Sequence, residues 1–442
     1  MISARSEPVL ALRASDHYLL LLGGVLLGYA LLGKLFAYLG FPPLFIGEIT
    51  LLTGLAIALR TGCLVAALAT TPSLLLAIAM AWVMLRTLPY LGEYGFNALR
   101  DSVVIMYGGF SFIVMALLIE DCRRVTTLLK YYSSLLAVFI PMSPIMFAAA
   151  YYTETVLRFV RPGEMAVHLT GATVFALTGF RKLSPLAIIT LLATLMMSIT
   201  MSRGAMMAYI IPVVFALLVL GKARQLSIAV TAGLVLIGAA YALETAFTDS
   251  QIATRHSTER SLSVRQIVEN VTSIVGQSSN QTESTKTWRL EWWNIIINDT
   301  VYGPHFWTGR GFGLNLADAD GFWDGDHPDA PPLRSPHNAH MTMLARAGVP
   351  GAVLWGAIVL SWMGLLGKTM LTARRRGQRQ WANLFLFAIC YVLAILINAS
   401  FDVALEGPMQ GIWFWCLFGF GVGSVMVYRA QPPTLTGDRN AT

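Results

Sequence analysis

The chain has 442 residues, of which 56% are hydrophobic and 12% are charged. A soluble domain carries about 25% charged residues; that deficit, with repeated apolar runs near the length of a membrane span, predicts an all-α polytopic membrane protein. The short alternating segments of a β-barrel are missing, and the formal net charge of +7 reads as membrane anchoring rather than as a nucleic-acid signal.

Taken in chain order, the apolar runs predict about twelve spans. They centre on residues 17–39, 43–59, 63–85, 102–119, 126–148, 166–179, 184–201, 205–220, 226–244, 348–367, 382–400 and 409–428. The run at 166–179 is short enough to be tilted or partly re-entrant. The first run has no small-residue cleavage site, so it reads as retained rather than as a signal peptide. Three regions follow: transmembrane helices over 1–244, a hydrophilic loop over 245–347, and the last three helices with a tail over 348–442.

Basic residues orient the spans. Arg5, Arg13, Arg60, Arg123, Arg124, Arg181, Lys182, Lys222, Arg224, Arg374, Arg375, Arg376 and Arg379 fall on alternate connections. The positive-inside rule places these, and both termini, in the cytoplasm. The 245–347 loop is then extracytoplasmic. Cys63, Cys122, Cys390 and Cys416 all lie outside it, which leaves no disulfide framework and no cysteine metal site.

The outer side breaks the charge habit. It carries Arg86, Arg100, Arg158, Arg161, Arg203, Arg255, Arg260, Arg265, Arg289, Arg310, Arg334 and Arg346, with Lys286 as its one lysine. Any single one of these can be snorkelling at a helix end or pairing with a loop acid. As a set, arginines in preference to lysines suit bidentate recognition of phosphate. Ser202-Arg203-Gly204 sits at the outer junction of two apolar runs, where a charge is a functional candidate.

Within the loop, Val264, Ile267, Val268, Val271, Ile274 and Val275 predict a helix over 257–276 closed by Gly276, with Arg265 and Glu269 paired four residues apart. A second helix is predicted over 285–299. Trp288, Trp292 and Ile295/Ile296 form one stripe, Arg289 and Trp293 another, and such a helix suits the headgroup level. Gly309-Arg310-Gly311-Phe312-Gly313 permits tight turns and close backbone approach but has no nucleotide-fingerprint context. The aspartates from Asp318 to Asp326 fail the EF-hand spacing, so a solvated loop is the better reading than a metal site. Pro336-His337-Asn338 opens a helix through Arg346, and Gly348-Val349-Pro350-Gly351 breaks it. His337 can act as a base, although His305, His327 and His340 lie nearby. Asp402 and Glu406 occupy the last outer loop, where Asp402 can orient a histidine or pair with an arginine.

Ser202-Arg203-Gly204, Trp288-Arg289, Gly309 to Gly313, Pro336-His337-Asn338 and Gly348 to Gly351, in that order, resemble the O-antigen ligase/O-antigen polymerase superfamily of bacterial envelope enzymes. The resemblance covers residues 190–400 and implies a GT-C-like membrane fold. It also implies glycan transfer from an undecaprenyl-pyrophosphate-linked donor on the periplasmic face of the inner membrane, without metal or other cofactor. In the ligase branch the acceptor is a sugar hydroxyl of lipid A–core. His337 would be the essential histidine, Arg203 and Arg289 the essential arginines, and Asp402 the late acidic position. Arg265, Asn338, Arg310 and Asp402 are expected to bind substrate; Arg265 competes with Arg289 for one role.

Among the alternatives, a polymerase joining one lipid-linked glycan to another shares the scaffold. The many outer arginines favour a phosphorylated lipid acceptor and hence the ligase. A protein O-glycosyltransferase would be expected to carry an added periplasmic domain. A lipid-linked glycan transporter would show internal repeats and midplane polar groups; there is no clear repeat, and Lys34 and Glu48 can both lie near span ends.

Overall fold

The computed structural model describes residues 13–152, 160–247, 267, 280–322 and 333–430. The described chain is helical almost throughout, with one short antiparallel hairpin of Gly40–Phe41 and Leu44–Phe45. Seven helical stretches are long and apolar enough to cross a membrane: Ala14–Ala37, Thr71–Tyr94, Phe96–Glu120, Arg124–Tyr152, Ala339–Arg375, Arg379–Ala399 and Pro408–Ala430. The remaining predicted spans fall on helices Ile46–Thr61, Pro162–Leu177, Pro185–Met201, Arg203–Val219 and Ala223–Phe247. The chain is an all-α, multi-pass membrane protein.

Helix Pro408–Ala430 forms the centre and is buried along nearly its whole length. Lipid tails are as apolar as leucine, so helices associate in a membrane through close packing and hydrogen bonds. Glycine supplies the packing. A Cβ at Gly419 would stand 2.5 Å from the carbonyl oxygen of Ser111. Ser111 then donates to the carbonyl of Trp415 at 2.7 Å. The indole N–H groups of Trp413, Trp415 and Trp362 each find a helix carbonyl at 3.0 Å, on Leu26, Val104 and Phe418, so large rings are buried without orphaned donors.

Basic groups tie one end of the bundle together. Arg124 reaches Asp16 at 2.8 Å and also Glu120. Lys222 donates to the Leu177 carbonyl, and Arg374 to that of Val219. The opposite end carries Arg161, Arg203 and the hydrophilic segment. There helix Asn280–Thr300 buries Trp292 and Ile296 completely, while Ile295 is 39% exposed. The apolar stripe is therefore Trp288, Trp292 and Ile296; Ile295, expected to share it, points away. The predicted 257–276 helix lies outside the described residues except for Ile267, which is helical and buried. Asp324 and Asp326 also lie outside them.

Helix Ala339–Arg375 is broken at Gly348, whose φ is 72°. The break frees backbone groups, and the preceding loop takes them up. Arg310 and Gly311 donate their amides to the carbonyls of Ala345 and Arg346 at 2.8 and 3.1 Å; Val349 donates to Phe306 at 2.8 Å. The loop lies so close that a Cβ at Gly309 would meet the Arg346 carbonyl oxygen at 2.3 Å. A glycine, here at φ 60°, is what this approach demands.

Candidate functional site

His337 lies between Pro336 and the helix that starts at Ala339. Its φ is +51°, which no other non-glycine residue among those described shares in sign. Left-handed backbone is uncommon outside glycine and persists where surrounding contacts over-determine it. Those contacts are present. The Pro336 carbonyl accepts from Trp293 Nε1 at 3.0 Å. Asn338 caps the next helix, its Oδ1 accepting from the amides of His340 and Met341 at 3.0 and 3.2 Å. Asn338 is 6% exposed and its side-chain oxygen is engaged within the protein, so it shapes the histidine's neighbourhood.

The His337 ring meets two partners. Its edge packs against Trp288, with centroids 6.0 Å apart at 82°. Its Nδ1 lies 3.7 Å from Asp402 Oδ1, longer than a hydrogen bond. Asp402 sits in the turn joining the last two helices. It accepts from Arg161 Nη1 at 2.7 Å and from its neighbour Val403 N at 2.8 Å. Partial burial works against its charge, but the His337 ring and the Arg161 guanidinium outweigh that and hold the carboxyl down to about 2.

Arg289 stacks over Trp288, 5.5 Å from its ring centroid, and donates to the Phe401 carbonyl at 3.2 Å. Phe401 is also where the Ser202-Arg203-Gly204 turn docks, because a Cβ on Gly204 would stand 3.0 Å from Phe401 Cβ. Ser202 caps the helix that begins at Arg203. Residues 401–402 thus gather Arg161, Arg289, His337 and the start of the Arg203 helix. Lys34, one residue past the Gly33 break in the first helix, is in electrostatic reach of Arg161, Glu164 and Asp402. Two of these arginines, Arg161 and Arg203, stand at helix starts, where orphan N–H groups also favour an anion.

Arg310 does not join this group. Its guanidinium is 9% exposed and closed off by Asp299 and Asp320, each at 2.5 Å. Asp320 also accepts from Trp292 Nε1 at 2.6 Å. The geometry gives Arg310 a structural place, locking the glycine loop to helix Asn280–Thr300, in contrast to the substrate contact expected for it. Arg265 lies outside the described residues.

The sequence sets Arg161 among the outer arginines and Lys34 near a span end without joining either to Asp402, and it does not pair Trp288 with His337. Arg161 carried a usable signal: like Arg203, it immediately precedes a short apolar helix, Pro162–Leu177, and it is followed by Pro162-Gly163. Lys34 follows a glycine within an apolar run, which marks a break. Nothing local pairs Trp288 with a histidine 49 positions later. Among the described residues, no three His, Cys, Asp or Glu side chains group as metal ligands.

A comparison with protein families matches residues 188–356 to O-Antigen ligase. The matched stretch runs from the helix before Arg203 through His337 to the Gly348 break, and it supports assignment to the O-antigen ligase family. A search of curated proteins finds no match.

Proposed function

We propose that the chain is an O-antigen ligase that transfers a glycan from undecaprenyl pyrophosphate to a sugar hydroxyl of lipid A–core on the periplasmic face of the inner membrane. The observation that carries this reading is His337, held in a left-handed backbone beside Asp402, whose turn also meets Arg161, Arg289 and the start of the Arg203 helix. The family match supports an activity of the ligase or polymerase type.

The chemistry needs two things from the protein. The bond from the donor's anomeric carbon to the pyrophosphate oxygen must break, and the leaving pyrophosphate then gains charge. Arginines are suited to stabilise it. The acceptor hydroxyl must lose its proton as its oxygen bonds to the same carbon. With Nδ1–H toward Asp402, the imidazole keeps a lone pair on Nε2 for that proton. A direct displacement inverts the anomeric centre, and no step in this account draws on a metal.

A reconstituted assay with lipid-linked donor and either lipid A–core or a second lipid-linked glycan tests the proposal. Glycan on lipid A–core with inverted configuration, and loss by about 10²–10⁴-fold in His337→Ala, is the expected result. Longer lipid-linked chains alone would make the enzyme a polymerase. A retained anomeric configuration would overturn direct displacement, and dependence on an added divalent ion would overturn metal independence.

A further inference from the structure

His337 sits in a non-helical segment, residues 333–338, whose residues are gripped in turn by separate elements. The Pro336 and Asn338 contacts are described above; the grip on the preceding residues runs to a carboxylate far from the histidine. Asp101, 8% exposed on helix Phe96–Met106, accepts from Arg334 Nη2 at 3.2 Å and from the Gly313 amide at 3.0 Å, and forms an ion pair with Arg346 Nη1 at 3.0 Å. Arg334 Nη2 also donates to the Gly313 carbonyl at 3.0 Å. One carboxylate therefore joins the glycine loop, the first turns of the Ala339 helix and the segment that leads into His337. On the other side, Glu406 accepts from Thr342 Oγ1 at 2.8 Å and from Ser335.

We infer that Asp101, acting through Arg334, is a positioning residue that holds His337 in its left-handed conformation facing Asp402. The inference rests on the catalytic reading of His337 given above. The side-chain oxygens of Asp101 meet Arg334, Arg346 and the Gly313 amide. Its effect is mechanical: Arg334 tied to Asp101 and Pro336 tied to Trp293 hold the chain before His337, and the Asn338 cap holds the chain after it, so φ at His337 cannot turn to an ordinary negative value without breaking a contact on one side. Arg346, 2% exposed, gives the same carboxylate a second duty in the core.

Asp101→Asn alone would be an ambiguous test, because it leaves buried Arg346 without a counter-charge and the protein can fail to fold. Arg334→Met cuts the tie to the His337 segment while leaving Arg346 and Gly313 on Asp101, and Arg334→Lys restores the charge. Each is compared with wild type in nanodiscs by two readouts. The first is kcat and donor KM in the transfer assay. The second is the rate at which diethyl pyrocarbonate modifies His337, followed by peptide mass spectrometry, which needs no turnover. Expected for Arg334→Met are a kcat lowered about 10–100-fold, a KM within about twofold of wild type, and faster His337 modification, with Arg334→Lys intermediate. Unchanged His337 reactivity in Arg334→Met would overturn the inference, whatever happens to kcat. Faster modification in a protein whose wild type transfers nothing would uphold the tether and sink the catalytic reading instead.

Discussion

Arg161 Nη1 and Asp402 Oδ1 lie 2.7 Å apart across 241 positions of sequence, joining the start of helix Pro162–Leu177 to the turn between the last two helices. The same carboxylate oxygen faces His337. The pair therefore sets both the charge and the place of the carboxylate that faces the histidine.

Removing one member leaves the other without its partner in a partly covered site. Arg161→Met should cost about 1–3 kcal/mol, between the values for exposed and buried pairs. The double variant Arg161→Met/Asp402→Asn should be more stable than the sum of the singles predicts. Thermal melts in detergent measure this, and strict additivity would mean that the two side chains are independent.

Acid should release the same contact. The Asp402 carboxyl ionises near 2 in the folded protein against an ordinary value of 3.8. A depressed value contributes stability that is full above the ordinary pKa and is lost as pH falls through the folded one. The loss should therefore fall between about pH 4 and pH 2 and amount to about 2 kcal/mol. Asp402→Asn should flatten the stability profile over that window; an unaltered profile would assign the acid sensitivity elsewhere.

The backbone at His337 separates chemistry from stability. Glycine tolerates φ of +51°, whereas a residue with a Cβ pays roughly 1 kcal/mol there. His337→Gly should melt higher than His337→Ala while both lose transfer. Equal melting temperatures would show that the left-handed conformation carries no strain.

Arg310 offers a contrast within the same loop. Arg310→Met leaves Asp320 without its cation and Asp299 with only His305 beside it, so stability should fall by about 3 kcal/mol. Donor KM, measured below the melting range, should stay near wild type. A large rise in KM with unchanged stability would return Arg310 to the substrate site.

Much of this was legible because it is local. Apolar run length gave the helices, and alternate basic loops gave the two ends. Gly309 to Gly313 advertised a close backbone approach, which the Gly348 break receives. For Arg310 the sequence shows acids within eleven residues on either side, Asp299 and Asp320, but not that both close on its guanidinium. Arg161–Asp402 and Asp101–Arg334 were invisible for a different reason: each joins residues more than 200 positions apart. A charge on a membrane-end turn states that it needs a partner but not which one.

The turn from Phe401 to Glu406 has a consequence for how the molecule can vary. Its two acids hold neighbouring parts of one stretch of chain: Asp402 faces His337, and Glu406 holds Ser335 before it and Thr342 on the helix after it. A single inserted residue between them would throw both grips out of register at once, since each depends on the same four-residue spacing. This turn therefore behaves as a fixed-pitch fastener, intolerant of length change even though it lies at the outer edge of the bundle, where insertions are ordinarily absorbed.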